Sequence, residues 1–211
     1  MKISVCQAGP LRVNCYLIEE EESKKGWIVD PGDEPKKIQE MAEQRGVKPE
    51  AVVITHTHFD HIGAAARLAA LWDCPVLLTE PEAEEAREKG PFGGYTELIY
   101  EKFLPCLEQR GRYVCEGEIL TLGAMEWQAI LVPGHSRASL CLYNQRENVL
   151  ISGDTLFRES IGKTDVYPGS PEELGCNLRE KLLTLPPDTV VLPGHGPATT
   201  IGWEKEHNPY L

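Results

Sequence analysis

The chain opens with short runs in which apolar positions cluster and break at turn residues. KISVCQAG (2–9), RVNCYLIEE (12–20) and GWIVDPG (26–32) are rich in β-branched and aromatic residues and predict three strands. The run EEEESKKG between the second and third reads as a solvated hairpin tip. From Pro35 to Gln44 the period changes: Ile38, Met41 and Ala42 fall on one helical face, and Gly46 stops the helix. Ala51–Thr55 predicts a strand, Ala64–Trp72 a helix and Pro75–Leu78 another strand. Residues 80–110 are polar and helical in tone, broken by Gly90-Pro91 and Gly93-Gly94, and read either as a flap over a site or as a surface helical hairpin. Several strand-like runs fill 113–152, followed by a helix over Pro171–Leu185 and a strand over Thr189–Leu192. Without a repeat, a low-complexity linker or a break in composition, the expectation is one α/β domain over 1–211.

Several of these apolar runs end on residues of one chemical kind. VVIT leads to His56, ILVPG to His135, VLISG to Asp154 and VVLPG to His195. Sites in helix-covered sheets form beyond the carboxyl ends of strands. Four ends at one rim would gather His56, His58, Asp60, His61, His135, Asp154 and His195, including five of the six histidines. In an extended stretch, residues i and i+2 point the same way. His56 and His58 are thus expected to grip one metal, while Asp60 and His61, turning into a helix, face a second. His135 would complete the first ion, His195 the second, and Asp154 would bridge them. Imidazole and carboxylate donors without thiolate suit zinc, iron or manganese. His207, in EKEHNPYL, lacks such a context and reads as a surface or packing residue.

Composition narrows the partners. The 211 residues are 41% hydrophobic and 26% charged, as in ordinary globular proteins, with a net charge of −12. That acidity disfavours nucleic acid and anionic membranes, so an anionic substrate would need local cations. No apolar run approaches the roughly 20 residues of a membrane span. The opening MKISVCQAGPLRVNCYLIEE lacks a signal-peptide core, so a cytoplasmic location is expected. Seven scattered cysteines without a CxxC argue against a disulfide framework or a thiolate zinc site.

THTHFDHIGA (55–64), PGH (133–135), SGD (152–154) and PGHG (193–196), with Asp30 in VDPG, resemble the metallo-β-lactamase fold superfamily over nearly the whole chain. GDTLFRESIGKTD (153–165) and PGHGPATTIGWEKEHNPYL (193–211) resemble its glyoxalase II-like, or hydroxyacylglutathione hydrolase-like, branch in a short form. The resemblance implies an αββα sandwich with two divalent ions at one edge, zinc foremost and iron or manganese as alternatives. By position, His56, His58 and His135 hold the first ion; Asp60, His61 and His195 hold the second; Asp154 bridges. Asp60 is also placed among the catalytic residues. Asp30 would orient a ligand imidazole. Lys163, nine positions after Asp154, matches the basic residue that contacts the glutathione part of the substrate.

The resemblance further implies hydrolysis of an anionic small-molecule thioester such as S-lactoylglutathione. A water between two metals, acidified to a pKa of about 7, would attack the acyl carbonyl. A thiol of pKa near 8.5 would then leave without a strong acid. Arg137 and Arg158 could assist Lys163. The alternative is a persulfide dioxygenase with a single iron on His56, His135 and Asp154, or a hydrolase of another ester or thioester. A non-enzymatic metal scaffold, a nuclease and a lactamase are the readings the sequence disfavours.

Overall fold

The computed structural model describes residues 1–89, 95–165 and 169–211. The chain divides into two compact units, Met1–Val114 with Thr121–Met125, and Cys115–Leu120 with Glu126–Leu211.

In the first unit, β1 (Lys2–Ala8), β2 (Val13–Glu19), β3 (Lys25–Val29), β4 (Lys48–Val53), β5 (Val76–Leu78) and β6 (Gly111–Tyr113) form one sheet in chain order. β1, β2 and β3 are antiparallel, as short connections allow. From β3 to β6 the strands are parallel, and parallel neighbours need crossover helices. α1 (Pro35–Arg45), then α2 (Phe59–Ile62) with α3 (Ala65–Trp72), then α4 (Glu80–Lys89) with α5 (Tyr95–Arg110) fill those crossovers. Proline opens α1, where its missing N–H costs nothing. Gly46 closes it at φ 64°, a left-handed conformation that glycine adopts without a side-chain penalty. The core gathers Val13, Leu17, Ile28, Ile38, Val52, Ile54, Leu68, Leu78 and Phe103.

Two expectations change here. The acidic run is not wholly solvated: Glu19 is buried and ion-paired with Lys24 (2.6 Å) and Arg45 (2.9 Å). The described part of 80–110 is two helices that bury Ala83, Ala86, Ile99, Tyr100, Phe103 and Leu107 in the core. The glycine-rich break at Gly90–Gly94 lies outside the described residues.

β7 (Ile119–Leu122), β8 (Met125–Val132), β9 (Ser139–Asn144), β10 (Val149–Gly153), β13 (Val190–Pro193) and β14 (Thr199–Thr200) make a second sheet, ordered β14-β13-β10-β9-β8-β7, which belongs to the second unit except for Thr121, Leu122 and Met125. A separate two-stranded hairpin, β11 (Leu156–Phe157) and β12 (Ser160–Ile161), follows β10. β9 runs antiparallel to both β8 and β10, and β10 is parallel to β13. β8, β10 and β13 therefore share one direction, and their carboxyl ends share one edge. The four ligand-bearing ends thus belong to two sheets: β4 to the first, the other three to the second. α6 (Pro171–Asn177) starts at Ser170, whose hydroxyl accepts from the Glu173 N–H. The predicted single helix to Leu185 instead passes at Leu178 into a π-helical turn, Leu178–Leu182. Leu174, Leu178 and Leu182 all stay buried through the change, packed with Ile130, Val132, Leu150 and Val191. The chain then forms α7 (Ile201–His207), capped by Thr200.

Candidate metal centre

β3 and β4 end side by side, and the backbone N–H of Asp30 donates to the Val53 carbonyl (3.0 Å). Asp30 then takes φ 50°, one of the few conformations where aspartate replaces glycine readily. Its buried carboxylate reaches across to the loop after β4. Oδ1 accepts from the Thr55 N–H (2.8 Å), and Oδ2 accepts from the Thr55 hydroxyl (2.7 Å). Oδ2 also lies 2.9 Å from His61 Nδ1. A carboxylate oxygen can only accept there, so Nδ1 carries the hydrogen and Nε2 presents its lone pair. His61 Nε2 lies 3.7 Å from Asp60 Oδ2. His56 Nε2 and His58 Nδ1 stand 3.0 Å apart, a spacing satisfied by a shared hydrogen or a shared cation. The His56 and His61 ring centroids are 4.0 Å apart. The four donors of the first unit, His56, His58, Asp60 and His61, are therefore one cluster.

Residues that sequence reasoning did not single out hold this loop. The Thr57 N–H donates to Glu82 Oε2 (2.8 Å), its hydroxyl donates to the Glu82 carbonyl (3.0 Å), and the Tyr100 hydroxyl donates to the Thr57 carbonyl (2.8 Å). Glu82 is fully buried in the first turn of α4, and burial pushes the Tyr100 phenol well up. The alternation of Thr55 and Thr57 with the histidines is the one local signal for this support; nothing local marks Tyr100. Glycines bring backbone against backbone beside Asp60. A Cβ at Gly32 would lie 1.8 Å from the Asp60 carbonyl oxygen, and one at Gly63 would lie 2.0 Å from the Gly32 carbonyl oxygen.

In the second unit, the shared edge of β8, β10 and β13 carries His135, Asp154 and His195. The Gly194 N–H donates to the Gly153 carbonyl (2.8 Å), joining the turns that bear the last two. Asp154 Oδ2 lies 3.7 Å from His195 Nε2. His135 Nδ1 is 2.7 Å from the Lys163 carbonyl oxygen, so it too carries the hydrogen at Nδ1 and presents Nε2. Gly162 is wedged between the two groups: a Cβ there would lie 1.9 Å from the Asp154 carbonyl oxygen and 3.0 Å from the His135 ring. The side chain of Lys163 is exposed. Arg158 instead sits over the Trp203 ring at 5.2 Å. His207 stacks on the other member of that contact, its ring centroid 3.9 Å from that of Trp203.

These donor groups suit a divalent cation. They are nitrogens and carboxylate oxygens without a thiolate, and two imidazoles already have their far N–H satisfied. A family model described as the metallo-beta-lactamase superfamily matches residues 8–195, and the chain belongs to that superfamily of metallo-hydrolases. Its fold is the α/β fold of that family: a solved structure described as BLEG-1 B3 metallo-beta-lactamase matches with a TM-score of 0.84 and 31% identity over 100% of this chain and 99% of its own.

Among relatives, "Probable metallo-hydrolase YqgX" of Bacillus subtilis is 36% identical over 100% of this chain and 98% of its own. "Hydroxyacylglutathione hydrolase GloC" of Haemophilus influenzae is 31% identical over the same shares. TTHA1623, solved in a di-iron-bound form, has a TM-score of 0.79 and 35% identity over 99% of this chain and 100% of its own. No helix among the described residues is long and apolar enough to cross a membrane.

Proposed function

We propose that the protein is a binuclear metal-dependent thioester hydrolase, acting on an anionic substrate of the S-lactoylglutathione type in the cytoplasm. In this reading His56, His58 and His135 would hold one divalent ion, Asp60, His61 and His195 would hold a second, and Asp154 would serve both, with zinc as the expected metal. The observation that carries the hydrolase reading is the fixed presentation of Nε2 by His61 and His135, through Asp30 and the Lys163 carbonyl. Whole-length similarity to GloC supports the thioester, and the di-iron form of TTHA1623 supports two ions and keeps iron beside zinc.

When bound, such ions supply Lewis acidity for the acyl carbonyl and lower the pKa of water. The chain's own groups do the rest. Asp30 and the Lys163 carbonyl keep hydrogens off the nitrogens that face the ions. Asp60 steers the proton of the attacking water. The exposed Lys163 ammonium attracts the carrier's carboxylates in a protein of net charge −12. A thiol of pKa about 8.5 departs as thiolate, so no dedicated acid is needed.

A second reading, β-lactam hydrolysis, is favoured by the full-length match to BLEG-1. The deciding experiment is metal content per chain with turnover of S-lactoylglutathione and of a chromogenic cephalosporin. Two ions with thioester turnover support the proposal. Cephalosporin turnover alone supports the second reading. A single iron without hydrolysis overturns both and directs the assay to oxygen uptake with glutathione persulfide.

A further inference from the structure

β1 and β2 run antiparallel with Cys6 directly opposite Cys15 in the ladder. Directly opposed residues in such a pair have Cα atoms about 4.5–5.5 Å apart, within the span a disulfide bridges without moving the backbone. Cys15 is fully buried, while Cys6 is part-exposed on the edge strand. The two side chains lie on the same face of the ladder. The neighbouring Cys15 thiol holds the Cys6 thiol below its ordinary value against the opposing effect of burial, and the nearby Lys37 ammonium acts in the same direction. Lys37 is fixed there by its bond to the Gln7 carbonyl (2.6 Å). Burial pushes Cys15 the other way, well up. One partner is thus the accessible, more readily ionised sulfur, and the other is a sheltered thiol directly opposite it.

We propose that Cys6 and Cys15 are a peroxide-responsive dithiol that closes to an intrachain disulfide. The Cys6 thiolate attacks hydrogen peroxide: an S–O bond forms, the O–O bond breaks, and the departing hydroxide takes up a proton as water. The Cys15 sulfur then attacks the Cys6 sulfenic acid: the S–S bond forms, the S–O bond breaks, and the second thiol proton leaves with the hydroxyl as water. Two thiols give up two electrons, and one peroxide becomes two waters. The site is independent of the substrate reading, yet it adjoins the metal loop's support. Tyr16 pairs with Val29, so Cys15 lies at the ladder's end beside Asp30, the carboxylate that orients His61.

The test uses the full chain, freed of reductant and exposed to hydrogen peroxide, with thiols counted after denaturation and the oxidised protein mapped by peptide mass. The expected result is that five of the seven thiols remain, that one peptide pair joins Cys6 to Cys15, and that dithiothreitol restores all seven. Cys6→Ser, on the part-exposed edge, should fold normally and leave Cys15 reduced under the same treatment. Retention of all seven thiols, a bond between other cysteines, or advance of Cys6 to sulfinic acid without a bond would overturn the proposal.

Discussion

Replacing Asp30 with asparagine tests the support of the first ligand cluster at one atom. Asparagine tolerates the left-handed backbone at φ 50°, so the substitution changes chemistry more than geometry. The carboxylate accepts at both oxygens: Oδ1 from the Thr55 N–H, Oδ2 from the Thr55 hydroxyl and His61 Nδ1. An amide has only one oxygen. If its NH2 faced the Thr55 N–H, two donors would meet in a buried site. The amide must therefore turn its oxygen to Thr55 and its NH2 toward the hydroxyl and His61. The hydroxyl can rotate and accept. The imidazole can accept only by moving its hydrogen from Nδ1 to Nε2, the nitrogen that should face the ion. Loss of such an orienting partner typically costs ten- to a hundredfold in metal affinity or activity, about 1.4–2.7 kcal/mol. Chelator competition would measure the affinity, and nitrogen-15 spectra of metal-free protein would report which His61 nitrogen carries hydrogen. If Asp30→Asn left the hydrogen on Nδ1 and divalent metal bound within about threefold of wild type, the orienting role would be refuted.

Gly162→Ala should cost about a hundredfold in kcat/KM, because its methyl has no room between the Asp154 carbonyl and the His135 ring; near-normal turnover would contradict the wedge. Lys163→Met should raise KM about tenfold with little change in kcat, since the main-chain carbonyl that holds His135 is untouched; a fall in kcat alone would remove Lys163 from substrate binding. For Glu19, burial pushes the carboxyl up, but hydrogen bonds from Lys24 and Arg45 outweigh it and leave the carboxyl below its ordinary value of 4.5. Its folded-state value is thus lower than its unfolded one, so its stabilisation is complete above pH 4.5 and fades as pH falls through the depressed value. Glu19→Gln should lower stability at neutral pH by about 1–2 kcal/mol and flatten the acid limb of the denaturation profile; an unchanged limb would show that the pair contributes nothing.

The candidate donors were legible because His56, His135, Asp154 and His195 each follow a short apolar run at once, and strand ends in α/β proteins present side chains at a sheet's edge. What a linear pattern does not encode is which sheet a strand joins. VVIT and ILVPG look alike, yet β4 belongs to the first sheet and β8 to the second. Leu174, Leu178 and Leu182 keep a four-residue spacing that fits an α-helix, and that spacing hides the π-helical turn at Leu178. Glu19 read as one of four solvated glutamates; its partner Arg45 comes from α1, 26 residues on, and only the folded register of β2 buries it. Glu82 and Tyr100 meet Thr57 from 25 and 43 residues away, beyond any local signal.

The two oriented histidines use unlike partners, and the difference separates what must stay fixed from what can vary. His61 depends on a side chain, so position 30 must remain a buried hydrogen-bond acceptor of one shape. His135 depends on a main-chain carbonyl, which any residue at 163 supplies provided that Gly162 lets the chain pass against Asp154. The Lys163 side chain is therefore released from ligand positioning and exposed to solvent. A change there can alter the charge offered to a substrate without disturbing the imidazole held by the main-chain carbonyl. Folds that host many substrates on one chemistry need such a position, where backbone and side chain answer to different demands. In this chain the backbone at 163 serves His135 and the ammonium serves the proposed anionic carrier. Substitutions at 163 should accordingly move substrate preference before metal binding, whereas substitutions at 30 and 162 should move metal binding or geometry first.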